Sequence, residues 1–267
     1  MIEEELYKEL CDDFLPVFRK LCGTEVYSIT LGGSHGKGIA DGNSDFDFGI
    51  FYEKAAEREV RRLAYKEISQ LVSKWKSKNV MVDGPWPRTY SEVDEQLEMW
   101  LTGKGKPEPY EWTIWGYNIL TDIYNVQVVE DPYGRISKWK ERLATYPEAL
   151  KESIIKKHAS SLKYWRNDYH YLNKVRRKDI VFLASLNARL IQDMVQVIYA
   201  LNEFYYPGDG MNLKYSEQFD CKPERFEERI VDILHTTGAD DAYELQYKKM
   251  TELMDDVLAL VKTKNLP

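Results

Sequence analysis

Residues 31–51, LGGSHGKGIADGNSDFDFGIF, place a glycine-rich turn directly before a segment in which acidic and aromatic residues alternate. Such alternation is typical of a half-buried strand, so Phe46 and Phe48 are predicted to enter the core. Asp45 and Asp47 then share the opposite face of the strand. Two carboxylates roughly 5 Å apart repel each other by about 3 kcal/mol at an effective dielectric of about 20. A divalent cation between them would reverse the sign of that interaction.

The turn before this strand has the features of a phosphate-binding site. A β-rich run ends in Gly32-Gly33-Ser34, and Ser34 suits the start of a short helix. Glycine lets phosphate oxygens approach the backbone, and the first N–H groups of a helix attract anions. Lys37 follows the turn and is either a phosphate contact or a solvent-facing lysine. Since Mg²⁺ favours carboxylate and phosphate oxygens, the pattern predicts a nucleoside triphosphate held beside a metal ion.

These residues resemble the signature of the nucleotidyltransferase superfamily of the DNA polymerase β type. That signature is a strand ending in Gly-Ser, a spacer of about ten residues, and Asp-x-Asp between apolar residues. Four residues match it: Gly33, Ser34, Asp45 and Asp47. The resemblance implies catalytic metal ligands at Asp45 and Asp47, nucleotide contacts at Gly33, Ser34 and Lys37, and an active complex with two Mg²⁺ ions and ATP or another triphosphate. A nucleoside monophosphate would pass to a hydroxyl group, and pyrophosphate would leave.

The resemblance also implies a third carboxylate from a neighbouring strand. Residues 88–101 are predicted to form a hairpin with its turn at 94–96. Glu98, between two apolar residues, is then either a metal ligand or general base, or an ordinary surface glutamate of the strand. Asp94 is the alternative if the turn lies elsewhere. Asp83 is also available, but its context, DGPWP, first predicts a turn.

Periodicity along the chain predicts an α/β (α+β) fold. Residues 1–147 are expected to form a small mixed sheet with helices, the nucleotidyltransferase catalytic domain. Residues 148–267 are expected to be a helical substrate-binding domain, with long helices near 148–173 and 178–205 and the substrate between the two domains. Pro147 followed by an acidic residue suits a helix start. A length of 267 residues fits two domains.

This organisation resembles lincosamide and aminoglycoside nucleotidyltransferases, and little-characterised bacterial proteins that join a nucleotidyltransferase domain to a helical extension. The first resemblance implies a small-molecule acceptor and antibiotic resistance. The second makes Asp122 either a site residue or a helix-surface aspartate. Aromatic residues that either stack a ligand or form core are Trp112, Trp115, Trp165 and Tyr169. The alternatives to a small-molecule transferase are a protein AMP-transferase of the antitoxin type and a catalytically silent nucleotide-binding module.

The amino-acid composition restricts the classes of partner that we expect the protein to bind. A net charge of −7 and a pI near 5.3 argue against a nucleic-acid partner and favour a small, cationic acceptor. The first ten residues, MIEEELYKEL, lack an apolar signal core, and no run approaches the ~20 apolar residues of a membrane span. The three cysteines have no metal-ligand spacing. We therefore expect a cytoplasmic protein with no membrane partner; by analogy with the superfamily, a homodimer is compatible with this sequence.

Overall fold

The computed structural model describes residues 4–105, 118–207, 212–236 and 241–264. The chain divides into two compact units, a sheet unit (Met1–Glu98 with Ile119–Thr145) and a helical unit (Met99–Asn118 with Tyr146–Pro267). The predicted fold class, a small mixed sheet followed by helices, is confirmed. The assignment of catalysis to residues 1–147 and of substrate binding to residues 148–267 stays a prediction.

Four strands form one mixed sheet in the sheet unit: β1 Tyr27–Leu31, β2 Phe48–Tyr52, β3 Trp86–Thr89 and β4 Gln127–Glu130. Their order is β3-β2-β1-β4. β1 runs antiparallel to β2 and β4, and β2 runs parallel to β3. Ile29 lies opposite Ile50 in the β1–β2 register, so both project to the same face of the sheet.

Six helices lie along the same part of the chain: α1 Glu4–Arg19, α2 Gly33–Gly36, α3 Arg58–Lys76, α4 Tyr90–Leu101, α5 Asn118–Asn125 and α6 Arg135–Leu143. One face of the sheet packs against α1 and α3, and the rings of Phe18 and Phe48 are 5.2 Å apart there. Full burial of side chains of this size contributes about 1.5–3 kcal/mol each. On the other face Phe51 packs edge-on against Trp139 of α6 at 5.4 Å. The sheet therefore carries side-chain packing on both faces.

The hairpin predicted over residues 88–101 is wrong, because this segment forms helix α4. Buried side chains recur every three or four residues along it, at Tyr90, Val93, Leu97 and Trp100. The helix starts with a capping box: Glu92 accepts the Thr89 N–H at 2.7 Å, and Thr89 Oγ1 accepts the Glu92 N–H at 3.2 Å. Helical periodicity and a capped start therefore outweigh the short apolar-acid-apolar alternation near Glu98.

The helical unit contains α7 Glu148–Asn167, α8 Tyr169–Arg176, α9 Ile180–Leu201, α10 Asn212–Ser216, α11 Phe226–Leu234 and α12 Ala242–Thr263. The helix predicted over 148–173 is interrupted, because the Asp168 carboxylate accepts the His170 N–H at 2.6 Å and caps α8. α9 is long and apolar enough to cross a membrane by length and composition, yet 56% of its apolar window is buried. That burial is typical of a core helix.

Two of the four aromatic residues considered for stacking, Trp112 and Trp115, lie outside the described residues. Trp165 packs edge-on against Phe182 at 6.0 Å within the helical unit. Tyr169 is 68% exposed. A stacking role for these rings stays a prediction.

Candidate functional site

Three aspartates converge at the edge of the sheet. Asp45, Asp47 and Asp83 each offer a carboxylate oxygen, and these oxygens all lie within 4.8 Å of one another. Asp47 is half-buried, whereas Asp45 and Asp83 are exposed. We call this group the acid cluster. Its geometry and its all-oxygen donors fit a hard divalent cation, which would offset the mutual repulsion of the carboxylates.

Backbone pairing brings Asp83 to the other two aspartates. The Phe46 N–H donates to Met81 O at 3.0 Å, and the Asp83 N–H donates to Phe46 O at 3.0 Å, a parallel bridge between Phe46 and Val82. Phe46 and Val82 are both buried, 4% and 5% exposed. Because successive side chains alternate between faces, the residues flanking this bridge project away from the core. The aspartates thus lie together on the polar side.

A bulge follows this bridge. Phe46 pairs with Val82, and Gly49 pairs with Trp86. The segment from residue 82 to residue 86 therefore spans four residue steps, whereas the facing segment from residue 46 to residue 49 spans three. An extra residue of this kind bends the strand and redirects side chains, and bulges are common beside active sites. Val82 accordingly pairs as a single bridge residue, not as part of a regular strand. The regular strand β3 begins after the bulge, within the segment that was predicted to be a turn.

The glycine turn touches the acid cluster directly. The Gly32 N–H donates to Asp47 O at 2.7 Å. Gly33 has φ of +56°, and a Cβ at this position would lie 1.7 Å from Asp47 Oδ2. Only glycine fits, because the left-handed backbone and the neighbouring carboxylate both exclude a side chain. Gly33 and Asp47, predicted to act at one site, are therefore in contact.

Ser34 presents an unsatisfied hydroxyl next to this turn. Its Oγ is buried and has no hydrogen-bond partner among the described residues. Leaving such a group unpaired costs about 1–3 kcal/mol, which a ligand oxygen in contact with the hydroxyl would offset. The hydroxyl is therefore the second feature, after the acid cluster, that fits a bound nucleotide.

The remaining residues of the turn hold it in place. His35 stacks on Phe46 at 4.4 Å, and burial lowers the pKa of its imidazole despite the attraction of Asp45. Gln127 of β4 donates its side-chain N–H to His35 O at 2.9 Å. Lys37 ends α2, and its N–H donates to Gly33 O at 3.2 Å. A contact between Lys37 and phosphate stays a prediction.

Glu98 and Asp94, the acids predicted to complete the site, lie on α4 and outside the acid cluster. Glu98 Oε2 accepts from Arg142 Nη2 of α6 at 3.0 Å. Asp94 Oδ1 accepts from Trp139 Nε1 at 2.7 Å. Both carboxylates link α4 to α6, and the third acid of the cluster is Asp83. A helix replaces the strand on which the choice of Glu98 depended, and a catalytic role of Glu98 or Asp94 stays a prediction.

Asp122 also has a partner of its own. It lies on α5, half-buried, with Oδ2 3.9 Å from Arg88 Nη2. Arg88 is paired with Phe51 across the sheet, and Phe51 is four residues, roughly 13 Å, along the chain from Asp47. The role of Asp122 at the site stays a prediction.

Asp83 could have been found from the sequence by a different rule. The segment NVMVDG is an apolar run that ends in an acid and a glycine, which marks the end of a short buried extended segment. An acid at such a boundary lies where a neighbouring strand can bring other carboxylates. The sequence contained this signal, but the turn-forming residues that follow concealed it.

Comparison with known families agrees with the geometry. Residues 8–102 match the family model of the nucleotidyltransferase domain, and this range contains the glycine turn and all three aspartates of the acid cluster. Residues 112–210 match a domain of unknown function, DUF4037. No curated protein matches the chain. Residues 8–102 thus form a nucleotidyltransferase domain, and by virtue of that domain the protein is a nucleotidyltransferase.

Proposed function

We propose that the protein transfers the nucleoside monophosphate of ATP, or of another triphosphate, to a hydroxyl group of a small molecule with Mg²⁺ as the metal. The observation that carries the proposal is the contact between the acid cluster and the glycine turn. The Asp47 carboxylate lies against Gly33, and the unpaired Ser34 hydroxyl is next along the chain. The residues proposed to hold the metal and the residues proposed to hold the phosphate are therefore adjacent.

The residues of the sheet edge have distinct parts in this reaction. Gly33 leaves room for the Asp47 carboxylate, and the Ser34 hydroxyl donates to a phosphate oxygen. Asp45 and Asp47 hold Mg²⁺, which when bound neutralises charge on the attacking and leaving oxygens. A carboxylate oxygen of Asp83 accepts the proton of the acceptor hydroxyl, the part that the sequence suggested for Glu98. The acceptor oxygen then bonds to the α-phosphorus, the bond from that phosphorus to the β-phosphate oxygen breaks, and pyrophosphate leaves.

The acceptor class follows from charge and from the resemblance described above. A net charge of −7 disfavours a polynucleotide and favours a neutral or cationic small molecule. Aminoglycosides and lincosamides are the acceptors that the resemblance to antibiotic nucleotidyltransferases suggests. An antibiotic acceptor would make the protein a resistance enzyme.

Incubation with ATP labelled at the α-phosphate, Mg²⁺ and a panel of hydroxyl-bearing compounds tests the proposal. We expect label on a small molecule, release of pyrophosphate, and loss of both in Asp83→Asn. Glu98→Gln is the matched control, because it changes an acid of the same domain that lies outside the acid cluster. Label on a purified protein instead would identify a protein AMP-transferase. Nucleotide binding without any transfer would identify a silent module, and full activity of Asp83→Asn would refute the role of that carboxylate.

A further inference from the structure

The helical unit buries polar side chains that the sheet edge does not use. His158 of α7 and Asp193 of α9 are joined by a contact of 2.6 Å from Nδ1 to Oδ1, and their side chains are 8% and 7% exposed. Lys151 of α7 pairs at 2.9 Å with Glu203, two residues beyond the end of α9. Because an earlier residue of α7 pairs with a residue that follows the end of α9, the two helices are antiparallel. The His158–Asp193 pair lies inside their interface.

One face of α9 carries four polar residues at helical spacing. They stand at positions i, i+3, i+4 and i+7: Arg189, Gln192, Asp193 and Gln196. Residues at this spacing share one face of a helix. We call them the polar stripe. It runs from the Arg189 side chain, 62% exposed, to Gln196, only 1% exposed, so it leads from solvent into the interior.

The polar stripe concentrates unpaired atoms. Ten buried side-chain nitrogen and oxygen atoms have no hydrogen-bond partner among the described residues. Five of these atoms belong to α7 and α9: Ser161 Oγ, Gln192 Nε2, Asp193 Oδ2, Gln196 Nε2 and Gln196 Oε1. Buried polar groups in native proteins are almost always hydrogen-bonded, and an orphaned group costs about 1–3 kcal/mol. Five unpaired polar atoms along one helix interface indicate a ligand that supplies the missing hydrogen bonds.

The unpaired atoms define the chemistry of that ligand. Asp193 Oδ2 and Gln196 Oε1 require donors, whereas Gln192 Nε2 and Gln196 Nε2 require acceptors. A hydroxyl group supplies both, and several hydroxyls on one carbon framework can serve atoms spread over successive helical turns. The Asp193 carboxylate already has His158 beside it, and Arg189 Nε lies 4.0 Å from Oδ2, so the ligand needs no charge. A fully ionised anion lacks the donors that Asp193 requires.

We propose that the polar stripe binds a polyhydroxyl compound, a sugar, cyclitol or aminosugar, and that this compound is the acceptor of the nucleotidyl group. Arg189 stands at the solvent end, where such a compound enters. Ser161, one turn along α7 from His158, contributes a further hydroxyl. The binding part depends on the helical unit alone, whereas the identification as acceptor rests on the function proposed above.

Calorimetric titration of the full chain without nucleotide tests the binding part, with glucose, myo-inositol and kanamycin as probes at millimolar concentration. We expect at least one probe to bind. Gln196→Met keeps the length of the side chain and removes its polar atoms, so it should weaken that binding by about tenfold or more. Gln218→Met changes an exposed glutamine of the same unit and should leave the affinity within about twofold. Ser161→Ala, at a half-buried position, should weaken binding without endangering the fold.

Some outcomes would overturn the inference. A wild-type protein that binds none of the three probes, or a Gln196→Met variant that binds as wild type does, means that the stripe holds ordered water only. The Asp45→Asn/Asp47→Asn variant separates the two proposals. If the inference holds, this variant binds the polyol as wild type does while transfer to it is lost. If the wild-type protein binds a polyol but transfers no nucleotidyl group to it, the acceptor assignment is refuted. If the protein transfers the group to a compound that the polar stripe does not bind, the inference is refuted and only the proposed function remains.

Discussion

The acid cluster of the sheet unit and the polar stripe of the helical unit both gather polar side chains, but they have opposite defects. In the acid cluster three carboxylates repel one another at an edge that is largely open to solvent. In the polar stripe donors and acceptors are buried without partners. A cation relieves the first defect and a hydrogen-bonding ligand the second. The kind of unsatisfied interaction in each region therefore identifies the kind of ligand that fits it.

The largest expected effect concerns the acid cluster. Asp45→Asn/Asp47→Asn should lower nucleotidyl transfer by about a thousandfold or more, because it removes several kcal/mol of metal-dependent transition-state stabilisation. Without divalent cations the same variant should melt at a higher temperature than wild type, since a repulsion is removed. Thermal unfolding with ATP and EDTA checks whether the variant melts at the higher temperature. Thermal unfolding with ATP and Mg²⁺ checks whether the variant has lost the magnesium-dependent shift. A magnesium-dependent shift that survives in the variant would show that the metal is held elsewhere.

Gly33→Ala should have the next largest effect. The new Cβ would overlap the Asp47 carboxylate and would occupy a left-handed backbone, so we expect loss of the magnesium-dependent melting shift and destabilisation by about 2–3 kcal/mol. Gly38→Ala is the matched control, because Gly38 has φ of +70° but nothing within 4 Å of its would-be Cβ. It should cost about 1–2 kcal/mol and keep the shift. Equal behaviour of the two variants would refute a special role for the Gly33–Asp47 contact.

A smaller effect with the opposite sign is expected in the polar stripe. Without added polyol, Gln196→Met should raise the free energy of unfolding by about 1 kcal/mol, because it replaces two orphaned polar atoms by apolar ones. Urea unfolding monitored by circular dichroism gives this quantity, and Gln218→Met should stay within about 0.5 kcal/mol of wild type. Destabilisation by Gln196→Met would show that its amide is already hydrogen-bonded in solution.

The smallest expected effect concerns the capping box of α4. The Thr89 N–H and hydroxyl hold the pKa of Glu92 below its ordinary value. A depressed pKa in the folded state contributes stability above the unfolded pKa of about 4.3, and this stability is lost as the pH falls through the lower folded value. Glu92→Gln should abolish this acid-side dependence, measured as unfolding free energy between about pH 6 and pH 3. Glu98→Gln, an exposed ion-pair partner, should leave it intact.

Residues 31–51 carried enough information to predict a nucleotidyltransferase domain, whereas the fold class was predicted from periodicity along the whole chain. The alternation at 45–48 and the glycine turn are local signals, and the contact of Gly33 with Asp47 agrees with them. The third carboxylate depended on a long-range pairing, because Asp83 reaches the cluster only through the bridge between Phe46 and Val82. The sequence pattern instead predicted Glu98 as the third acid, on a strand, whereas this segment forms helix α4. A short apolar segment can fit either the two-residue period of a strand or the 3.6-residue period of a helix. The capping box at Thr89 was the signal that favoured the helix.

The polar stripe was hidden for another reason. In α9 polar residues at helical spacing are interleaved with apolar ones, so the sequence reads as an ordinary amphipathic helix with a solvated face. Only the packing against α7 shows that this face is buried. Burial, and therefore the unpaired state of Gln196, is a property of tertiary structure that spacing alone does not reveal.

Because of the bulge between Val82 and Trp86, the position of the Asp83 carboxylate depends on the number of residues in this connection. Gly84 has open space around it, so substitutions there should be tolerated. Shortening this connection by one residue would equalise the two facing segments. Either β3 would slide along its neighbour, or Asp83 would turn toward the hydrophobic side. A homologous chain with a shorter loop here would therefore have to draw its third acid from another position, and loop length becomes a criterion for recognising relatives that share this chemistry.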